Sequence, residues 1–319
     1  MKKSSRTVRL LVILTALMMF LVLLAGSIVT KTESGLGCGH EWPLCNGKFV
    51  PAYTIQSFLE YSHRLVSGLV GLLVLATFIV VLVKYRKRKD LVLYASTALF
   101  FTVLQALLGA AAVVWGQSAL VRALHFGFSL FAFAGTLLTA ISVYRIDKPM
   151  SPSGWGEDFP ESYRVTNQFR WIVWGTLIYS YVVVYLGAYV RHTNAMAGCQ
   201  GWPTCNGELI PSKFDTITTA AYVHRLGAAL FLVAVLILAH YAYRHYHALR
   251  VVRISGLWIL GLTLAQIFSG AWIVSVLDNE SAYLYAALTH STIISALFGM
   301  LCYLSVVVWR LGGVKQWKN

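Results

Sequence analysis

A chain of 319 residues that is 58% hydrophobic and 12% charged lacks the charged quarter that a soluble surface needs. That excludes an ordinary soluble fold and makes lipid the outer solvent. The net charge of +14 invites a nucleic-acid reading, but its distribution along the chain points instead to membrane topology.

Apolar stretches long enough to cross a bilayer are expected at roughly 8–30, 57–83, 91–115, 120–144, 169–190, 216–242, 254–276 and 282–309. The first, from Val8 to Thr30, is too long for the core of a secretion signal. No small-residue cleavage site follows it, so it is expected to remain as a span. Eight spans place both termini on one side. Nineteen of the 26 Lys and Arg residues fall on that side. The other seven are Lys31, Lys48, Arg64, Arg122, Arg191, Lys213 and Arg225. The positive-inside rule then puts both termini in the cytoplasm of a multi-pass cell-membrane protein. Lipid is the expected partner, and nucleic acid is not.

The first outer loop carries Cys38 and Cys45 around Trp42-Pro43, and its counterpart carries Cys199 and Cys205 around Trp202-Pro203. An outer compartment lets disulfides persist. These are not Cys-x-x-Cys redox motifs. The default reading is a structural disulfide in each loop, and a catalytic thiol role stays open for Cys38 and Cys45, which lie near Glu60. Cys302, inside the last span, reads as an inert buried thiol.

The chain repeats itself at an offset of about 161. Gly26-Ser-Ile-Val-Thr-Lys-Thr32 matches Gly187-Ala-Tyr-Val-Arg-His-Thr193, and His63-Arg-Leu matches His224-Arg-Leu. Gln105 and Gly109 match Gln266 and Gly270, and His125 matches His290 after a four-residue lengthening. The expected fold is therefore all-α and integral to the membrane. Its eight transmembrane helices form two pseudo-symmetric four-helix bundles, residues 1–145 and 169–319, in parallel orientation. The connector, 146–168, contains Pro149, Pro152, Gly154, Gly156 and Pro160 and reads as a cytoplasmic linker.

Nine histidines occur, and two positions recur as histidine in both halves: His63 with His224, and His125 with His290. All four are expected roughly 8–12 Å below the outer face at 1.5 Å per residue. Ionisable groups within spans are costly and mark function. A single one more often makes a polar contact between helices, but a repeated pair at one depth points to a ligand site. Two imidazoles without carboxylate or thiolate partners make a poor zinc site. They suit an iron porphyrin held inside a four-helix bundle. The expected pairs are His63 with His125 and His224 with His290, with pairing across the halves left open. Gly68, Gly109, Gly127, Gly227 and Gly270 would make room for a flat macrocycle, although helix packing explains such glycines equally. His40, His192, His240, His245 and His247 read as solvated or interfacial.

Arg64 and Arg225 each follow a ligand histidine. They would contact the carboxylate tails of a haem or snorkel to water. The halves differ at Glu60, which precedes His63 by three residues and shares its helix face. Ala221 stands at the matching place. A carboxylate beside one haem and not the other suggests one catalytic half. The competing explanation is a capping box, Ser57-Phe-Leu-Glu60, in which the carboxylate caps the helix start.

With these residues in view, the chain resembles the haem A synthase family of the Bacillus type. The resemblance rests on Gly26–Thr32, the Cys38–Cys45 loop, Glu60-x-x-His63-Arg64 and Leu104-Gln-Ala-Leu-Leu-Gly109. It also includes Ala123-Leu-His125-Phe-Gly127, Tyr179–Thr193 and His224-Arg225, and covers nearly the full length. It implies an oxidoreductase that converts the C8 methyl of haem O to a formyl group, giving haem A for terminal oxidases. His63 and His125 would hold the substrate haem, with Glu60 taking part in the oxidation. His224 and His290 would ligate a haem b in the C-terminal half. Cys199 and Cys205 would form a structural disulfide, and Cys38 and Cys45 a more reactive pair. Haem O synthase, the protohaem farnesyltransferase, is the implied partner, and self-association into a homo-oligomer is compatible with the family. Without the resemblance, the repeated histidines and eight spans equally suit a b-type cytochrome relaying electrons with quinone, or a haem carrier. Neither alternative needs the Glu60 asymmetry.

Overall fold

The computed structural model describes residues 5–49, 54–116, 118–146 and 164–312. Most of the expected linker, with Pro149, Pro152, Gly154, Gly156 and Pro160, lies outside the described residues. Among the described residues there are eight long helices: α1 Arg6–Lys31, α2 Ile55–Tyr85, α3 Lys89–Val114, α4 Ala119–Arg145, α5 Asn167–His192, α6 Thr216–His245, α7 Arg250–Ser275 and α8 Glu280–Leu311. Each is long and apolar enough to cross a membrane, so the expected all-α multi-span class is borne out.

Local chemistry sets where the helices begin. Ser5, Thr54, Thr166, Asp215 and Asn279 each accept a backbone N–H three residues on, satisfying a donor that a helix start leaves orphaned. The bond from Thr218 also holds the carboxyl of Asp215 below its usual range. The largest departure from the expected spans lies between α6 and α7. Their ends extend to His245 and from Arg250, shortening the expected loop. The segment Tyr241-Ala-Tyr-Arg-His245 is aromatic and basic, a composition that continues a helix through the membrane interface.

Within the first four helices, α1 packs on α2 and α4, and α3 packs on α2 and α4. The last four repeat this pattern: α5 packs on α6 and α8, and α7 on α6 and α8. The two sets meet through α4·α5, α1·α8 and α4·α8. Consequently α4 and α8 are the most enclosed, with 72% and 67% of their apolar windows buried against 17% for α7. Small residues permit this closeness. A Cβ on Gly135 of α4 would stand 2.7 Å from the backbone nitrogen of Ala98 on α3. At the seam, the Phe131 ring lies 4.7 Å from Tyr181 of α5 and 5.3 Å from Phe298 of α8.

At the end of the bundle away from the cysteine loops, Asp90 ties α3 to α8. It accepts from Arg88 at 2.9 Å and from Arg310 at 2.5 Å, while Arg310 also donates to Tyr94. These side chains are partly exposed, so the network is worth about 1 kcal/mol. Asp90→Ala is expected to lower the thermal midpoint by a few degrees and leave the helical content unchanged, as read by melting and circular dichroism in detergent.

Candidate functional site

His63 and His224 each stand eight residues after the first residue of their helices, α2 and α6, whereas His125 and His290 lie six and ten residues into α4 and α8. Each imidazole packs against a glycine of the preceding helix. A Cβ added at Gly26 would meet His63 Cε1 at 3.1 Å, and one at Gly109 would meet His125 Cε1 at 3.2 Å. The same contact recurs at Gly187 with His224 at 2.8 Å and at Gly270 with His290 at 3.4 Å. One arrangement thus serves all four rings.

Hydrogen bonds fix which ring nitrogen is free. His125 Nδ1 lies 2.7 Å from the carbonyl oxygen of Gln105. A carbonyl only accepts, so Nδ1 carries the proton and Nε2 presents its lone pair. His290 Nδ1 lies 2.8 Å from Ser269 Oγ. That hydroxyl donates its hydrogen to the Gln266 carbonyl at 2.8 Å, so it accepts from Nδ1, and Nε2 of His290 is free as well. Metal-ligating histidines are held by such a bond on the other nitrogen.

The residues present fit a haem. Among the described residues, no three His, Cys, Asp or Glu side chains gather as a metal site. The donor set is therefore two imidazoles per half, which suits the two axial positions of a porphyrin iron and falls short of zinc. The glycines need a partial correction. Gly68 faces open space, but Gly127 is met by the Tyr181 and Tyr185 hydroxyls and Gly227 by Leu186 and Val183. Gly109 and Gly270 seat the imidazoles. Gly26 and Gly187 do the same, and sequence reasoning missed that role although both lie in the aligned repeat.

Both cysteine loops close on disulfides, Cys38–Cys45 and Cys199–Cys205. Their backbones match closely. Each carries an isolated bridge, Cys45 with Lys48 and Cys205 with Glu208, and each has positive φ at the Asn-Gly pair that follows the second cysteine. Both loops sit on the start of the next helix: Gly37 presses on Gln56 and Gly198 on Ile217, where a side chain would clash with backbone. Cys302 is free and buried.

The arginines that follow His63 and His224 reach into these loops. Arg64 Nη1 donates to the carbonyls of Glu41 and Leu44, both at 2.8 Å. Arg225 Nη1 donates to Gly201 and Thr204, and its Nη2 to Cys199. The observed bonds anchor the loops. Arg64 Nη2 instead donates to Glu60 Oε1, while Glu60 Oε2 accepts the Cys38 N–H at 2.7 Å. Where the second half runs arginine straight to the cysteine carbonyl, the first inserts a carboxylate. Glu60 is 3% exposed, and Ala221 at the matching place is 5% exposed.

The capping-box reading of Glu60 is overturned. The helix starts one turn earlier than that reading needs, with Thr54 as its cap and Ser57 as the residue that donates to it. Ser57 turns its hydroxyl to the Gly37 carbonyl.

The profile of the COX15-CtaA family, described as cytochrome oxidase assembly protein, matches residues 9–57 and 52–302. A protein named "Heme A synthase" from Geobacillus kaustophilus is 43% identical over 93% of this chain and 90% of its own length. Proteins of the same name from Geobacillus thermodenitrificans and Bacillus licheniformis are 42% and 41% identical, each over 93% of this chain and 90% and 95% of their own. The chain belongs to the COX15-CtaA family. Glu60 and all four recurrent histidines lie within the 52–302 match.

Of the remaining histidines, His240, His245 and His247 are exposed as expected. His40 is exposed but its Nδ1 bonds the Val113 carbonyl at 3.0 Å, tying the first cysteine loop to the end of α3. His192, which ends α5, is partly enclosed at the seam, where its carbonyl accepts from Arg122 at 3.4 Å.

Proposed function

We propose that this family member is a haem A synthase, oxidising the C8 methyl of haem O to the formyl group of haem A. The N-terminal four helices would hold the substrate through His63 and His125. The C-terminal four would hold a resident haem b through His224 and His290. The observation that carries this reading is the fourfold arrangement of a half-buried imidazole on a glycine, twice per half, together with relatives named for haem A synthesis.

His63 and His125 would hold the substrate through its iron, which would leave the porphyrin rim as the place of the chemistry. The conversion adds one water oxygen to the methyl carbon and releases four electrons and four protons to an acceptor outside the chain. Glu60 is the ionisable group that distinguishes the substrate half. It would accept protons from the methyl or the added water, or stabilise positive charge there. The resident haem b supplies one-electron chemistry when bound. His224 and His290 fix its place, and α4 and α8 bring the two halves into contact. The Cys38–Cys45 loop, held by Glu60 and Arg64, would exclude bulk water from the outer edge.

The distribution of basic residues supports a cell-membrane protein with both termini cytoplasmic and the disulfide loops outside. A farnesylated substrate requires an upstream protohaem farnesyltransferase, haem O synthase, as the partner. The decisive test is mass analysis of haem extracted from cells that make the protein beside a source of haem O. A product that has gained one oxygen and lost two hydrogens is expected. Haem O recovered unchanged would instead mark a cytochrome or carrier.

A further inference from the structure

Three of the seven outer basic residues gather where α1, α4, α5 and α8 meet. Arg191, near the end of α5, donates from Nη2 to the Thr30 carbonyl of α1 at 2.8 Å, and its guanidinium lies 5.9 Å from the Tyr283 ring of α8. Lys31 follows Thr30, within electrostatic reach of Arg191. Arg122, near the start of α4, donates to the His192 carbonyl at 3.4 Å and feels the charge of Arg191. Glu33 is the acid whose charge reaches Arg122, so positive charge exceeds negative. Arg191 Nε is buried and makes no hydrogen bond.

The position of this cluster is its second notable property. Arg191 of the second set of helices bonds the Thr30 carbonyl of the first, and Arg122 of the first bonds the His192 carbonyl of the second. The cluster therefore stands between the two sets of helices. Like charges packed in a half-buried seam repel unless an anion joins them. The planar guanidinium fork selects carboxylate or phosphate. A haem presents two carboxylates along one edge, and Arg64 and Arg225 already donate to loop carbonyls.

Resting on the haem reading above, we propose that Arg191, Lys31 and Arg122 form a carboxylate-binding site in the seam. It receives propionates from the haems held by His63 with His125 and by His224 with His290. The two halves then share one patch of counter-charge, and binding in one half alters the electrostatic environment of the other.

The test compares haem b with its dimethyl ester, in which both carboxylates are masked, titrated into full-length haem-depleted protein and read at the Soret band. Unaltered protein is expected to bind the free acid about tenfold or more tighter, the effect of one charge-assisted hydrogen bond. Arg191→Gln should narrow the preference to about threefold, and Arg191→Lys should retain most of it. Lys31→Met, measured alongside in case Arg191→Gln misfolds, should also narrow it. Lys213→Gln, in an exposed loop, should leave it unchanged. A full preference for the free acid in both Arg191→Gln and Lys31→Met overturns the seam site and spares the haem reading. If neither porphyrin gives a low-spin two-imidazole spectrum with unaltered protein, the haem reading falls and takes the seam site with it.

Discussion

Glu60→Gln will retain haem in both halves and lose formyl production by about 10²- to 10⁴-fold, the range associated with a positioned acid or base. Glutamine keeps the size of the side chain. Its amide oxygen still accepts the Cys38 N–H, and its neighbour Arg64 still holds the Glu41 and Leu44 carbonyls. The charge and the proton-accepting capacity disappear, and with them the acceptor of the Arg64 Nη2 bond, because an amide NH2 only donates. The ligand nitrogen of His63 does not depend on that carboxylate, so the low-spin spectrum should persist.

Glu60→Ala separates the two roles the geometry offers. It removes the charge and also the anchor of Cys38, leaving Arg64 without its acid in a site where that arginine is only 11% exposed. It should lower stability by about 1–3 kcal/mol as well as stop product formation. A catalytic carboxylate predicts that both variants are inactive. A purely structural one predicts an active glutamine variant and an impaired alanine variant. Extracted-haem mass analysis, with melting curves on the same samples, distinguishes the outcomes.

The spans were readable because lipid demands about 20 apolar residues in a row and because basic residues mark where those runs end. The recurrent histidines were readable through repetition: His63 and His224 recur with the same following residues and each stand eight residues after the first of their helices. Other features could not be read from adjacency. Arg64 follows His63 in the chain, yet a long flexible side chain can swing toward a porphyrin or away from it, and the structure turns it to the cysteine loop. Ser57-x-x-Glu60 fits a capping pattern, but Thr54 one turn earlier fits as well and is the cap observed. Gly26 and Gly187 were hidden for a different reason. Glycine in a membrane helix serves many kinds of close packing, and only coordinates reveal that an imidazole is the neighbour.

Those glycines carry the second large effect. An alanine Cβ at Gly187 would stand 2.8 Å from His224 Cε1, closer than carbons approach, whereas one at Gly270 would stand 3.4 Å from His290 Cε1. Gly26 and Gly109, at 3.1 and 3.2 Å from His63 and His125, fall between. An imidazole is the mobile end of its side chain, so the fold can absorb the clash by rotating the ring. Glycine to alanine within a helix is itself stabilising by about 1 kcal/mol. The ligand geometry has no such freedom, because both rings of a pair must address one iron. Gly187→Ala is therefore expected to melt at or near the temperature of the unaltered protein and yet lose most of the C-terminal haem. Gly26→Ala and Gly109→Ala should weaken the N-terminal site less, and Gly270→Ala should retain nearly full occupancy. Haem per chain and the low-spin absorbance, measured across the four variants, give the ranking. Full haem in Gly187→Ala beside a loss in Gly270→Ala would refute the idea that these glycines set the imidazoles, and would return them to ordinary helix packing.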